Sequence, residues 1–207
     1  MEILALGFLT GGSLILAIGP QNLFVIEQGL KKNFVFTITT ICAVSDVFLI
    51  FLGVFLYQIF ENIPLHVETT LNIVLVLFLM NYIKNKINIS FKKISFKKSQ
   101  KLLNFSGAIT KTLGFTYLNP HVYSDTVFIL GNFSKNFTLE NKLYFAFGAS
   151  FASIIFFYCL GYLSSIFANF IKKNNSWKYI NYFIITFMSI LVIYIGTDII
   201  LNLLKFN

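Results

Sequence analysis

Six stretches of this chain, at about residues 3–27, 35–59, 66–84, 107–131, 143–171 and 178–204, are apolar enough to sit in a hydrocarbon core and long enough to cross one; a crossing takes roughly 20 residues of α-helix. In lipid every backbone N–H and C=O must be satisfied by the protein itself, so the expected fold is an all-α integral membrane bundle of six transmembrane helices. Only 12% of the residues are charged, against about a quarter in a soluble domain, so little of the chain is left for water. The third block is the weakest, and the fifth is long enough to tilt or extend past the bilayer. The first follows Met1-Glu2 with no basic residue ahead of it, runs too long and lacks a small-residue cleavage site. It therefore reads as a span and not as a cleaved signal peptide.

The net charge of +8 rests on sixteen lysines and no arginine, and their placement carries the information. Lys31 and Lys32 lie between the first two blocks. Lys84, Lys86, Lys92, Lys93, Lys97, Lys98 and Lys101, with Lys111 just beyond, lie between the third and fourth, and Lys172, Lys173 and Lys178 between the fifth and sixth. The opposite side collects only Lys135, Lys142 and Lys205, so thirteen lysines face three. The positive-inside rule puts the odd-numbered connections in the cytoplasm and both termini outside, as in a multi-pass protein of a bacterial inner membrane. The basic charge follows topology, which argues against a nucleic-acid partner. The central connection contains ISFKKISFKK at 89–98. It reads either as a solvated loop or, over residues 89–101, as an interfacial segment drawn to anionic lipid at about 1 kcal/mol per lysine. Cys42 and Cys159 both fall within spans and read as packing residues.

Three spans on each side of that connection divide the chain into a first repeat (1–84), the basic connection (85–106) and a second repeat (107–207). An odd number of spans per repeat makes the two halves inverted, the arrangement in which transporters place a substrate site on interrupted helices near the midplane. Of the three prolines, Pro64 lies in the short turn after the second block, while Pro20 and Pro120 interrupt blocks one and four, the corresponding first helices of the halves. In AIGPQN (17–22) and YLNPHVY (117–123), each proline removes a donor and should free the carbonyl four residues back, that of Leu16 or Thr116. Gly19 loosens the first break further. Gln21 and Asn22 at one break, and Asn119 and His121 at the other, are placed to serve the freed groups. The plainer alternative is a packing kink. Gly7 and Gly11, and Gly148 with Ala152 and Ala149 with Ser153, have the four-residue spacing of small residues at helix contacts.

Four acids in or near spans bear on the site. Glu27, beside Lys31 and Lys32, reads as an interfacial charge, and Asp198 as one that snorkels at the outer end of the last span. Asp46 falls at the middle of the second block and Asp125 beyond the break in the fourth, with no lysine at comparable depth. A carboxylate at such depth costs about 2.5–3.5 kcal/mol on insertion scales. His121 lies four residues from Asp125, so one helix face carries both if helix resumes after Pro120. Either the histidine and the hydroxyls of Ser45, Tyr123 and Ser124 satisfy these acids for stability alone, or the acids line a cation or proton site. The second reading explains why so much polarity sits in an oily segment.

At these residues the sequence resembles a known family. GFLTGGSLILAIGPQNLFVIEQGLKKN and CAVSDVFLIFLGV look like the opening of bacterial basic amino-acid exporters of the LysE/ArgO type. TYLNPHVYSDTVFILG is similar to that family's fourth span and SWKYINYFIITFMSIL to the start of its last. The resemblance covers nearly the whole chain except the basic connection. It implies a small inner-membrane exporter of L-lysine and L-arginine that needs no cofactor and holds no metal. By motif position it implicates Gly19, Pro20, Gln21, Asn22, Ser45, Asp46, Asn119, Pro120, His121, Tyr123 and Asp125. The neutral-amino-acid branch typically has PGPN where this chain has GPQN, which favours the basic branch. Two departures bear on the substrate: Ser124 replaces a usual leucine, and NIVLVLFLMNYIK lacks the paired glycines and tryptophan of the third span.

The expected chemistry is binding without catalysis. Asp46 and Asp125 face the cargo's positive groups, while Gln21, Asn22, Asn119, His121, Tyr123 and exposed backbone complete the site. No GxxxxGK[ST] occurs, so uphill export needs an ion gradient, and exchange for protons carried by Asp46 or Asp125 with His121 as relay is the expected coupling. The alternatives are export of another amino acid or of a metal cation, or a channel, although a paired-NPA channel is poorly matched by a single Asn-Pro. An intramembrane enzyme is weaker still: His66 and His121 are the only histidines, with no HExxH and no GxSxG. An oligomer is compatible with the sequence.

Overall fold

The computed structural model of the chain describes residues 1–16, 19–60, 65–91, 102–173 and 177–204, and these are helical with no strand among them. The order is α1 (Glu2–Ile15), α2 (Pro20–Lys31), α3 (Val35–Phe60), α4 (Leu65–Phe91), α5 (Phe105–Tyr117), α6 (Pro120–Tyr123), a π-helical stretch (Ser124–Ile129), α7 (Leu130–Ser134), α8 (Leu139–Lys173) and α9 (Trp177–Leu204). Helix occupies every apolar block. Among the described residues, α3 over Val35–Tyr57 and α8 over Leu139–Ala168 are each long and apolar enough to cross a membrane unaided, and α1 with α2 forms a third candidate bent by 81°. In α4 and α9 the apolar stretch is shorter, Asn72–Lys84 and Tyr182–Thr197. Pro64, Lys92–Lys101 of the basic connection and the side chain of Asp198 lie outside the described residues.

Both interruptions are complete breaks. Pro20 is the first residue of α2, where its missing N–H costs no hydrogen bond, and extended Gly19 (φ −113°, ψ −178°) is the N-cap. Pro120 opens α6 in the same way. Because the helices end instead of kinking, the open carbonyls belong to the last turn of the preceding helix. Those captured are Ile15 and Tyr117, one residue before and one after the expected Leu16 and Thr116: Asn22 Nδ2 donates to Ile15 O at 3.2 Å, and the Tyr123 hydroxyl donates to Tyr117 O at 2.8 Å.

Packing joins the two halves crosswise. α8 runs along α1, α2 and α3, the stretch from Ser124 to Ser134 packs on α3, α4 pairs with α9, and α2 meets α5. Glycine sets how closely these helices approach. A Cβ on Gly11 would lie 2.8 Å from Ala149 Cα, and one on Gly148 2.8 Å from the Phe8 backbone nitrogen. On the other side, a Cβ on Gly53 would come within 2.5 Å of Thr126 O, and one on Gly131 within 2.7 Å of Gly53 O. The larger apolar cluster gathers Leu23, Phe24, Ile38, Cys42, Leu75, Leu79, Phe115, Phe157 and Met188.

Between the breaks and the lysine-rich end, Phe24 stacks on Phe115 with centroids 4.8 Å apart. Phe78 and Tyr82 meet Phe115 edge-on at 4.9 and 5.0 Å. Tyr82 donates its hydroxyl to Glu27, whose other oxygen takes Lys31 Nζ at 2.6 Å, while Lys111 Nζ lies 5.4 Å from the Tyr82 ring centre. Glu27 is only 2% exposed. It is therefore a buried, paired charge tying α2 to α4.

Candidate functional site

The two breaks abut: a Cβ on Gly19 would stand 3.9 Å from Asn119 Nδ2. At their junction lies a cavity of about 310 Å³ whose wall includes Gly19, Pro20, Gln21, Asn22, Asp46, Asn119, His121 and Asp125. Three separate stretches, 19–22, 46 and 119–125, thus bring most of the expected site residues to one space, of a size suited to a small molecule. The rest of the wall comes from Leu14, Ile15, Val122, Thr126, Phe157, Leu191 and Tyr194. These had no signal in the sequence, because apolar residues in membrane helices look alike whether they face a cavity, a neighbour or lipid. Tyr123 is not in the wall, and the side chain of Pro120 lies outside the described residues. Tyr123 is occupied in closing the break, and Pro120 in starting α6.

Asp46 sits near the centre of α3 and is 3% exposed. Its Oδ2 accepts a hydrogen bond from Ser153 Oγ of α8 at 3.0 Å, and its Oδ1 has no partner. The partner is thus Ser153, which the small-residue spacing had marked only for packing, and not Ser45, Tyr123 or Ser124. Gln21, in the first turn of α2, is 5% exposed with Nε2 unpartnered. Asn22 is committed to Ile15, and Asn119 Oδ1 accepts from the His121 N–H at 3.2 Å, capping α6. Cys42, one turn before Asp46, is fully buried beside Gln21 and Thr116.

Asp125 lies on the π-helical stretch, half-buried. Such wide turns open the backbone register and occur often at functional sites. His121 is exposed to the cavity and within electrostatic reach of Asp125, and Asp125 within reach of Asp46. Helix does resume after Pro120, so histidine and acid share the wall as their spacing implied. Among the described residues no three His, Cys, Asp or Glu side chains gather as metal ligands. The arrangement offers two acidic side chains, one orphaned amide donor and the N-terminal end of a helix to something small and polar.

Comparison with known proteins agrees. The family model of the LysE type translocator matches residues 12–202. The chain is 32% identical over 182 residues to the arginine exporter protein ArgO of Serratia proteamaculans (strain 568), covering 84% of this chain and 86% of that protein. It is 32% identical over 189 residues to the ArgO of Photorhabdus laumondii, covering 88% and 89%. It is 31% identical over 212 residues to the lysine exporter LysE of Corynebacterium diphtheriae, covering 87% and 92%. No solved structure matches. With polar groups converging on a cavity between broken helices, and a family match along almost its whole length, the chain belongs to the LysE type translocators, multi-pass membrane transporters and not enzymes.

Proposed function

We propose that the protein exports cationic L-amino acids, L-arginine and L-lysine, across the bacterial inner membrane in exchange for protons. The observation that carries this reading is the convergence of Asp46 and Asp125 on one cavity at the junction of two broken helices. Two acids, with no lysine among the described residues of the cavity wall, suit a positively charged cargo, and the names of the relatives point to the same class. Gln21, Asn22, Asn119 and His121 complete the binding wall, with Gly19, Pro20 and Pro120 making the breaks.

The chain is organised as two inverted three-helix repeats, 1–84 and 107–207, joined by 85–106. The packing supports this, since exchanging the halves maps the main helix contacts onto others that are present. α1 on α8 becomes α5 on α3, and α2 on α8 becomes the stretch from Ser124 to Ser134 on α3, while α3 with α8 and α4 with α9 map onto themselves. The lysine distribution supports both termini outside, with residues 89–101 near anionic lipid on the cytoplasmic face.

Export of one positive charge from a negative interior costs about 2.3 kcal/mol per 100 mV. Exchange for one proton cancels that charge movement, leaving the pH gradient to drive the cycle at about 1.4 kcal/mol per unit. Asp46, Asp125 and His121 carry the proton. Proteoliposomes loaded with labelled L-arginine test this: efflux should accelerate when the opposite face is acidified and should lose tenfold or more in Asp46→Asn and Asp125→Asn. Normal proton-linked export by either variant removes that residue from the mechanism. Flow down the arginine gradient at every pH, without countertransport, makes the protein a channel.

A further inference from the structure

We propose that the cavity reads an amino acid by depth: Gln21 and Asp46 take the α-carboxylate and α-ammonium, Ser153 positions Asp46 for that contact, and Asp125 with His121 takes the charged end of the side chain. This rests on the export reading and assigns each pole of the cargo to named groups.

Polar atoms left without partners carry the argument. Buried donors and acceptors are nearly always satisfied, yet Gln21 Nε2 and Asp46 Oδ1, on side chains 5% and 3% exposed, are not. One is a donor and the other an acceptor, and both side chains are in the wall of the same cavity. A zwitterionic head group supplies the complement to each. Gln21 also lies in the first turn of a twelve-residue helix, a setting that favours an anion. The other amides are less free: Asn22 Nδ2 is bound to Ile15 O, and Asn119 Oδ1 is occupied by the His121 N–H.

Ser153 is fully buried and absent from the cavity wall, so it acts through Asp46. Most hydroxyls here bond back to their own helix, as Thr112 does to Ala108 O at 2.7 Å and Ser189 to Ile185 O at 2.8 Å. Ser153 instead crosses from α8 to α3 and engages Oδ2, leaving Oδ1 as the acceptor for an ammonium. The other pole differs in kind. Asp125 is half-buried and His121 exposed, so this end is the wetter and more adaptable one, suited to a side chain that varies between cargoes.

Four competitors of labelled L-arginine binding to the purified protein test the assignment: L-arginine, L-citrulline, agmatine (no α-carboxylate) and 5-guanidinopentanoate (no α-amine). Charged hydrogen bonds of this kind correspond to about tenfold to hundredfold in affinity. Asp46→Asn should weaken arginine, citrulline and agmatine by that factor and spare 5-guanidinopentanoate. Ser153→Ala should show the same pattern more mildly, with Ser153→Thr restoring it. Gln21→Ala should spare only agmatine, and Asp125→Asn should erase the preference for arginine over citrulline. Variants of Asp46 or Ser153 that weaken all four probes alike, or an Asp125→Asn that keeps the arginine preference, overturn the assignment while leaving export standing. Wild-type protein that binds none of the four overturns both.

Discussion

Tyr123 donates its hydroxyl to the Tyr117 carbonyl and has no part in the cavity wall. On this geometry Tyr123→Phe should lower stability in detergent by about 1 kcal/mol, the value of one hydrogen bond, with the KM for arginine unchanged. A tenfold rise in KM without loss of stability would move Tyr123 to the cargo. Tyr82→Phe removes a hydrogen bond to a buried carboxylate and should cost more, about 1.5–3 kcal/mol, read in the same thermal unfolding experiment. At this scale the acids were legible in the sequence and Ser153 was not. A carboxylate deep in a span has few excuses. A serine has a cheap one, because it can bond to its own helix, as Ser164 does to Leu160 O at 2.6 Å. Only coordinates separate the serine that turns inward from the one that reaches across. Nor was the pairing of Glu27 legible, since flanking lysines in sequence do not reveal that Tyr82 of α4 covers it.

Among the helices, glycines with similar surroundings in sequence have opposite roles in space. Gly148 lies against the backbone of Leu4 and Phe8, whereas nothing approaches a Cβ on Gly196 within 4 Å. Gly148→Ala should therefore destabilise by about 1–3 kcal/mol through overpacking. Gly196→Ala should be neutral or stabilise by up to about 1 kcal/mol through helix propensity. Equal effects in thermal unfolding would mean that close approach is not what Gly148 provides. The helices themselves were legible because hydrophobic blocks of membrane length leave little choice of structure, and the prolines marked both breaks. The π-helical stretch at Ser124–Ile129 was not legible. One extra residue in a turn leaves no compositional trace, and the neighbours that stabilise it, Gly53 among them, lie far away in sequence. Nor did the apolar pattern show that α4 continues to Phe91, seven residues past the block that defined it.

For the molecule as a whole, the proposed inverted halves require both ends of the chain on one side of the membrane and the basic connection on the other. Alkaline phosphatase joined after residue 207 should be active and joined near residue 95 inactive, with the converse for a green fluorescent reporter; the opposite pattern would turn the protein over in the membrane. Cys42 adds a way to time its movements. This sulfur is enclosed between the residues that flank the two breaks, Gln21 and Thr116, whereas Cys159 is exposed. Once Cys159 is changed to serine, an alkylating reagent can reach the remaining thiol only while α2 and α5 stand apart. The labelling rate then becomes a stopwatch for how often that seam opens, and arginine should make it run faster if cargo passes that way.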